Sequence, residues 1–475
     1  MGHEQTDVSA VIGKPARTTG SRGLQELSKV SLIETIVNRR SRRFAMGNTL
    51  EGGPLEHKSA HKPVSLTKEE EAILAFAGAG ITGFCLGELP YSPSSQRETG
   101  SGTIMYSTLG RTIASPDAHH NVVLFLTNDD GGFMMKRPQD FPKKEIPELA
   151  EMARARDFVS LYDRCRVRIA KKRPDPVREI PFVPPFNKWS ANVPGSTYFI
   201  PVNELTAFYV NVLLSVLNEE FGYYLVDERN GFKPAGLEGF ARSRGGHLYD
   251  DPNDGRVITV QYLEAYLLEM CAVEQGLMLQ NLQLTAEALG LGGFPHYAAH
   301  HFAWFQALGF TMKDLKLSSF MRKGPVMTKV MDLVGKNPVI PVPIGIERDG
   351  KPLIKPYCPP HYPTMSDAVR AMIDFKYSQD TGTFRDGGAA SAWKDPGAVQ
   401  KGIPEYSKAT VEAVIAYCEY IWQRYGRLTA NFGSFRTNLG YSAHHIDRDY
   451  YDRFYKAGVY TEAHLHHTER WHSEA

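Results

Sequence analysis

An unusually basic segment lies near the start of the chain. Four arginines surround one serine in RRSRRF, residues 39–44. A guanidinium group binds phosphate with two hydrogen bonds at once, and a serine hydroxyl adds a neutral donor. The segment therefore suits a phosphate monoester, and the alternative is a solvated basic surface or a contact to RNA.

A second polar segment, RTIASPDAHHN at residues 111–121, runs straight into the apolar residues 122–127. The apolar run predicts a buried strand, and the NDDGG sequence at 128–132 predicts the turn that ends it. A Ser-Pro loop in front of a buried strand can present hydrogen-bonding groups to a flat polar ring. An ordinary turn is the alternative.

The longest predicted helix covers residues 259–289, where apolar residues recur at steps of three or four. Its opposite side is also fairly apolar, so the helix must be buried on several faces, and in a dimer part of that burial can come from the partner. Polar residues also occur on it, within QNLQLTAEALGLGG at 280–293. Because buried polar groups are costly unless paired, they serve either hydrogen bonds in the core or a ligand.

Histidines form four pairs, at 119–120, 300–301, 444–445 and 466–467. His464, His466 and His467 have spacing that can bind a metal, but the chain lacks the carboxylate–histidine spacing of a catalytic helix. We therefore predict no metal site and interpret the histidine-rich tail as a surface. His296 follows the glycines at 290–293, which makes it the candidate for catalytic proton transfer.

Further elements follow from capping signals and periodicity. Ser31 and Thr67 each begin a predicted capping box, so order is expected from about residue 31. Additional helices are predicted at 149–167, 204–220, 366–377 and 409–425, and a further strand at 337–347.

Composition narrows the class of protein. Lysine plus arginine total 54 and aspartate plus glutamate 53 in 475 residues, a balance that argues against nucleic-acid binding. The five cysteines are scattered without a CxxC pair, which argues against a disulfide framework. No stretch approaches the ~20 apolar residues of a membrane helix, and residues 1–22 are polar. We therefore expect a cytoplasmic protein with no membrane or nucleic-acid partner.

The arginine-rich segment, the Ser-Pro segment and the polar end of the long helix, in this order, resemble the nitroreductase family, including its azoline-oxidising dehydrogenase branch. The matching pieces are RRSRRF (39–44), AGAGITG (77–83), SPDAHHN (115–121) and QNLQLTAEALGLGG (280–293). The family's basic C-terminal phosphate segment has no clear match, and Arg427 and Arg436 are its best substitutes.

The resemblance implies an obligate homodimer with FMN at the subunit interface. It also implies which residues bind the cofactor: Arg39, Ser41 and Arg43 at the phosphate and ribityl chain, Ser115, Pro116 and Asp117 beside the ring, and Gln280, Gly292, Gly293 and Phe294. The segment 292–296 would line the flavin N5 edge, where FMN itself performs hydride transfer. NADH or NADPH would serve as electron donor for a small organic substrate.

The predicted fold is the nitroreductase-type α+β fold, with a central, mostly antiparallel sheet flanked by helices. We predict a flexible tail at 1–30, core segments at 31–138 and 256–355, an insertion at 139–255 and a C-terminal extension at 356–475. The predicted function is an FMN-dependent oxidoreductase. Two alternatives remain: a flavin-fold protein that binds or stores a ligand without catalysis, and a metal-dependent enzyme that uses the histidine clusters.

Overall fold

The computed structural model describes residues 21–91, 102–321, 324–388 and 391–472. The helices are α1 (Arg22–Leu27), α2 (Leu32–Asn38), α3 (Lys68–Ala79), α4 (Ile146–Arg154), α5 (Phe158–Cys165), α6 (Thr206–Val216), α7 (Val260–Leu289), α8 (His301–Ala307), α9 (Leu317–Phe320), α10 (Pro325–Leu333), α11 (Met365–Tyr377), α12 (Pro396–Gly402), α13 (Lys408–Tyr425), α14 (Arg448–Phe454), α15 (Glu462–Leu465) and α16 (His467–Trp471). The strands are β1 (Thr49–Leu50), β2 (His57–Lys58), β3 (Ile81–Phe84), β4 (Leu109–Arg111), β5 (Val122–Asn128), β6 (Gly131–Met135), β7 (Arg166–Ala170), β8 (Thr197–Glu204), β9 (Tyr224–Asp227), β10 (Lys233–Pro234), β11 (Val257–Thr259), β12 (Gly292–His296), β13 (Thr311–Lys316), β14 (Val339–Arg348), β15 (Lys351–Ile354), β16 (Phe435–Arg436) and β17 (Gly440–His444).

A seven-stranded sheet forms the centre of the molecule, in the order β12-β17-β8-β5-β6-β7, with β16 also paired to β8. All of its pairings are antiparallel. Helices cover both faces, so the prediction of an α+β fold with a mostly antiparallel sheet is confirmed.

The predicted strand at 122–127 is β5, and each of its residues is buried. Val122, Leu124 and Leu126 pack on one face, against α3, α5 and α7. Val123 and Phe125 pack on the other, with the aromatic residues of α8. Because successive side chains of a strand point to opposite faces, two covered faces require a continuous apolar run rather than an alternating one.

Two segments that were predicted to lie outside the core contribute strands to the central sheet. The segment 139–255, predicted as an insertion, supplies β7 and the central strand β8. The segment 356–475, predicted as an extension, supplies β16 and β17, and β17 lies between β12 and β8. These strands are short or contain proline and glycine, so their apolar pattern is weak and their pairing depends on neighbours distant in the chain.

The start of the described chain also differs from expectation. Helix α1 (Arg22–Leu27) precedes Ser31, so part of the predicted tail at 1–30 is helical, whereas residues 1–20 lie outside the described residues. Ser31 caps α2 by accepting a hydrogen bond from the Glu34 amide. Thr67 and Glu70 form the predicted capping box of α3.

Helix α7 matches its prediction, beginning after the Thr259 cap and ending at Gly290. It carries three buried glutamates, each with partners in a different part of the chain. Glu264 accepts from the amides of Ala430 and Asn431, Glu274 accepts from the Val122 amide, and Glu287 pairs with Arg42. Among the described helices, none has the length and apolar character that a membrane span requires.

The Arg42–Glu287 ion pair is buried on both sides, and removing one partner would leave a charge in the core. We expect Arg42→Ala to lower the free energy of unfolding by about 3–5 kcal/mol, since an unpaired buried carboxylate is poorly solvated. Exposed Arg154, which pairs with Glu151, is the matched control, and Arg154→Ala should cost less than about 1 kcal/mol.

Urea denaturation of both variants measures this difference. Replacing both partners, as Arg42→Met with Glu287→Leu, should restore part of the stability because no charge is then buried alone. Equal stability of Arg42→Ala and Arg154→Ala would contradict the assignment.

Candidate functional site

The segment 39–44 and the glycines at 292–293 lie next to each other in the structure. Arg42 forms a β-bridge with Gly293, and the Gly293 amide donates to the Arg42 carbonyl at 3.1 Å. Arg42 also donates to the Val459 carbonyl at 2.7 Å and pairs with Glu287, so its guanidinium is fully used within the chain.

Beside this junction is a pocket of about 390 Å³, here called the arginine pocket. Its lining residues are Arg40, Ser41, Arg42, Arg43, Phe44, Leu50, Leu55, Trp189, Tyr450, Tyr451, Tyr455 and Val459. Ser41, Arg43 and Arg39 were predicted to bind the cofactor. Ser41 and Arg43 line the pocket. Arg39 lies half-buried at the end of α2 and does not line it. The pocket combines cationic groups with aromatic rings, a lining that suits a flat ligand bearing an anion.

Arg43 is held in place rather than free in solvent. Its Nη2 donates to Asn187 Oδ1 at 2.8 Å and to Ser190 Oγ at 3.1 Å. Its guanidinium stands 4.5 Å from the centre of the Phe294 ring and 5.3 Å from Trp189. Its buried Nε has no hydrogen-bond partner among the described residues, so one donor remains for a ligand.

The glycines of β12 serve packing between strands. A side chain at Gly293 would collide with the Tyr441 hydroxyl, and one at Gly292 would meet Ile446 at 2.6 Å. Since the Gly293 amide is already bound to Arg42, it is not available to a ligand. Phe294 presents its ring to Arg43 instead.

His296 stacks on Phe294, with ring centroids 4.0 Å apart. Burial lowers the pKa of His296 to about 3, so the ring is neutral near pH ~7. Nδ1 lies 3.2 Å from the Phe294 carbonyl, which can only accept, so the proton sits on Nδ1. Nε2 has no partner in the described parts of the chain and presents a lone pair. His296 therefore suits accepting a hydrogen bond, not donating a proton from Nε2.

The Ser-Pro loop lies elsewhere, against the middle of α7. Ser115 Oγ donates to Glu274 Oε2 at 3.1 Å and accepts from the His120 amide at 2.7 Å. Asp117, Ala118 and His120 have φ angles of 50°, 53° and 50°. Non-glycine residues with such angles are uncommon, and strained backbone clusters at functional sites. The loop lines a second pocket of about 520 Å³, to which Ser115 and Asp117 contribute and Pro116 does not.

Several polar residues of α7 have structural partners. Gln275 donates to the Pro201 carbonyl at 2.9 Å, and Asn281 donates to the carbonyls of Ala77 and Thr112. For these two residues the structure favours hydrogen bonding in the core. Gln280, predicted to bind the cofactor, is exposed on the helix surface.

The substitutes proposed for a basic C-terminal segment lie outside the arginine pocket. Arg427 is buried, donates to the Tyr425 carbonyl and stacks on Phe320 at 3.7 Å. Arg436 is on β16. The pKa values of His300 and His301 are lowered, mainly by burial and to a smaller extent by the positive charge of Arg436.

The sequence did not reveal Asn187, Ser190 and Trp189 as residues of the site, because they lie in the predicted insertion, far from the arginines in sequence.

The comparisons with known proteins add little to this geometry. No family model and no curated protein matches the chain. Among solved structures, the chain is similar to a "putative nitroreductase" from Ralstonia eutropha JMP134. The identity is 12%, the alignment covers 62% of this chain and 79% of that chain, and the TM-score is 0.26.

The Ser-Pro loop gives a prediction on pH dependence. Burial raises the pKa of Asp117 to about 6, although Lys376 acts in the opposite direction. In an unfolded chain an aspartate titrates near ~3.9. The folded chain thus retains a proton that the unfolded chain releases, so this contribution to stability is present below about pH 4 and is lost as the pH rises through about 6.

Asp117→Asn cannot ionise, and we expect it to exceed the parent in stability by about 1–3 kcal/mol at pH ~7.5, with the difference vanishing near pH ~4. Asp349→Asn is the control, because Asp349 is exposed in a turn and has a similar φ of 52°. Denaturant titrations at both pH values measure the difference, and a pH-independent one would contradict the prediction.

Proposed function

We propose that the chain is an FMN-dependent oxidoreductase whose flavin site is completed by a second copy of the chain. The observation that carries the proposal is the arginine pocket, where a phosphate-binding segment is joined by a β-bridge to the strand at Gly292–His296. Two buried polar atoms, Nε of Arg43 in the pocket and Nε2 of His296 on the bridged strand, have no partner among the described residues, which leaves unused capacity to bind a polar ligand.

The two predicted parts of the site are separated within one chain. The Ser-Pro loop is fixed to Glu274, and the arginine segment is fixed to Glu287. These glutamates are separated by about 20 Å along α7, at 1.5 Å of rise per residue. One chain alone therefore does not present both parts to a single ring.

A twofold axis would bring the two parts together. If a second copy packs antiparallel across α7 near residue 280, midway between the two glutamates, one chain's arginine pocket comes opposite its partner's Ser-Pro loop. The exposed face of α7 supports such packing, since Tyr262, Tyr266 and Val273 are 65%, 52% and 63% exposed. Helix α2 adds exposed Leu32, Ile33, Ile36 and Val37. An apolar surface of this kind marks an interaction site.

The chain's residues have distinct tasks in this proposal. Ser41 and Arg43 bind the phosphate, the Trp189 ring in the pocket excludes water around the cofactor, and the Phe294 ring supports the Arg43 guanidinium. Neutral His296 holds a ring or substrate N–H or O–H at its Nε2 lone pair. When bound, FMN supplies hydride transfer between the nicotinamide donor and a small organic substrate.

One measurement distinguishes the proposed oxidoreductase from a flavin-binding protein without catalysis. Reconstituted protein should show loss of the oxidised flavin absorbance when NADH or NADPH is added without oxygen. Flavin binding without this reduction by either donor would favour the ligand-storing alternative.

Arg43→Ala should weaken FMN binding by about tenfold to a hundredfold, because one charge-assisted contact to phosphate contributes about 1.5–3 kcal/mol. Titration of apo-protein followed by flavin fluorescence measures the dissociation constant. Arg43→Lys keeps the charge but loses the fork of donors and should fall between parent and alanine variant.

Arg154→Ala is the surface control and should bind FMN as the parent does. A thermal melt of each variant separates lost affinity from lost folding. Failure of the parent to bind any added FMN, or equal affinity of parent and Arg43→Ala, would rule out the phosphate assignment.

Val273→Glu should disrupt the dimer, since it places a charge on the exposed apolar face of α7. We expect sedimentation to show a dimeric parent and a variant at least about a hundredfold weaker in self-association, as burial of unpaired charge costs several kcal/mol. Val326→Glu is the matched control, because Val326 is 78% exposed on α10. A parent that sediments as a monomer at micromolar concentration would exclude a site shared between subunits.

A further inference from the structure

A cluster of four potential ligands lies apart from the arginine pocket. Glu70 is in the first turn of α3, His445 directly follows β17, His467 begins α16 and His472 follows that helix. Each contributes one ligand atom, and these atoms all lie within 4.8 Å of one another. Glu70, His445 and His467 are buried, and the His472 side chain is 17% exposed. We call these residues the Glu-His cluster.

The proton on His467 can be placed from its contacts. Nδ1 lies 2.9 Å from the Leu289 carbonyl, and a carbonyl can only accept, so Nδ1 carries a proton. In the neutral ring Nε2 then has a lone pair, and it lies 2.7 Å from Glu70 Oε1. Neither atom has a hydrogen bond within the described parts of the chain. Two electron pairs at this distance repel each other unless a cation or a proton lies between them.

The other two imidazoles show the same deficit. Nε2 of His445 and Nε2 of His472 have no hydrogen-bond partner among the described residues, and the nearest carboxylate oxygen to His472 Nε2 is Glu70 Oε2 at 3.4 Å. The His445 ring lies 4.7 Å from His467 and 4.8 Å from His472 between centroids, in edge-to-face arrangements. Buried polar atoms nearly always have partners, so three nitrogens and one oxygen that lack them around one point indicate a shared ligand.

We propose that the Glu-His cluster binds a divalent transition-metal ion, with zinc as the preferred ion. Three imidazoles and one carboxylate form a four-ligand set of the kind that holds zinc tetrahedrally. Four protein ligands leave no position for a substrate, which is the mark of a structural site rather than a catalytic one.

Two further contacts orient the ligands. The Leu289 carbonyl fixes the His467 tautomer so that Nε2 faces the cluster. The Thr67 amide donates to Glu70 Oε2 at 2.6 Å, which leaves Oε1 for the ion. Such outer contacts are typical of metal sites, because they hold each ligand in its binding orientation.

The placement of the ligands indicates what the ion does. Glu70 and His445 belong to the body of the fold, whereas His467 begins α16 and His472 directly follows that helix. A bound ion would therefore fasten α16 to α3 and to the end of β17. The expectation of no metal site rested on spacing along the chain, and residue 70 is too far in sequence from residue 445 to form a motif.

A second proton on His467 is the competing explanation. It would convert the contact with Glu70 into a plain ion pair, and a proton on His472 would pair that ring with Glu70 Oε2 at 3.4 Å, but Nε2 of His445 would still have no partner among the described residues. The two explanations differ in an observable way, since the ion pair binds no metal.

The test measures metal content, binding and thermal stability in the full chain. Protein purified without chelators should contain about one zinc per chain, and metal-free protein should rebind zinc or cobalt with a rise in Tm. Cobalt should give the visible absorption of a tetrahedral nitrogen–oxygen site. His445→Ala and His472→Ala should each weaken binding at least about tenfold, because loss of even an outer contact costs about that much.

His466→Ala is the matched control, because His466 is in the same segment, 47% exposed, and paired with Glu462 and Glu469 outside the cluster. It should bind metal as the parent does. Should an alanine variant fail to fold, the cobalt spectrum of the parent still decides the question. Parent protein that binds neither zinc nor cobalt, or cluster variants that bind as tightly as His466→Ala, would overturn the proposal.

Discussion

The pairing of buried glutamates on one long helix organises this molecule. Helix α7 has 30 residues, and its buried face packs against α3 and the central sheet. Because a buried carboxylate is stable only when it is fully paired, each glutamate requires a specific segment to approach the helix. Glu264 binds the backbone at 430–431, Glu274 binds the start of β5, and Glu287 binds the arginine segment. Parts of the chain that are hundreds of residues apart are thereby held at fixed positions along helix α7.

The same constraint explains how the two pockets are arranged. Both lie beside a glutamate of α7, the Ser-Pro loop through Ser115 and the arginine segment through Arg42. In the proposed site, Arg42 is used by its pairing in the core, and the residue proposed to bind phosphate is its neighbour Arg43. Pairing in the core and ligand binding are thus divided between adjacent residues, so a site residue can change without leaving a charge unpaired.

Local signals in the sequence predicted much of the fold. Capping at Thr67, the apolar run of β5 and the periodicity of α7 depend on neighbours within a few residues, and each of these elements is present. The positions of β8 and β17 in the sheet could not be predicted this way. Strand pairing is fixed by tertiary packing, and β8 pairs with β5, which lies about seventy residues earlier in the chain.

The candidate site likewise combines features that the sequence could predict with features that it could not. The approach of residues 39–44 to residues 292–293 followed from a resemblance across several motifs, whereas periodicity alone gave no indication of it. The support of Arg43 by Asn187 and Ser190 has no local signal, because an amide and a hydroxyl are common in any loop. The Glu-His cluster is hidden for a stronger reason, since its ligands span residues 70 to 472.

The late position of β17 also constrains how the chain folds during synthesis. β17 fills the gap between β12 and β8, so the sheet remains divided until residue 444 has left the ribosome. The Trp471 ring packs on Gly23 of α1, so the first described helix finds its partner later still. Until then β8 presents an unpaired edge, and such edges associate readily with other chains. Translation speed and chaperone binding over the final third of the chain should therefore decide how much of it reaches the native state.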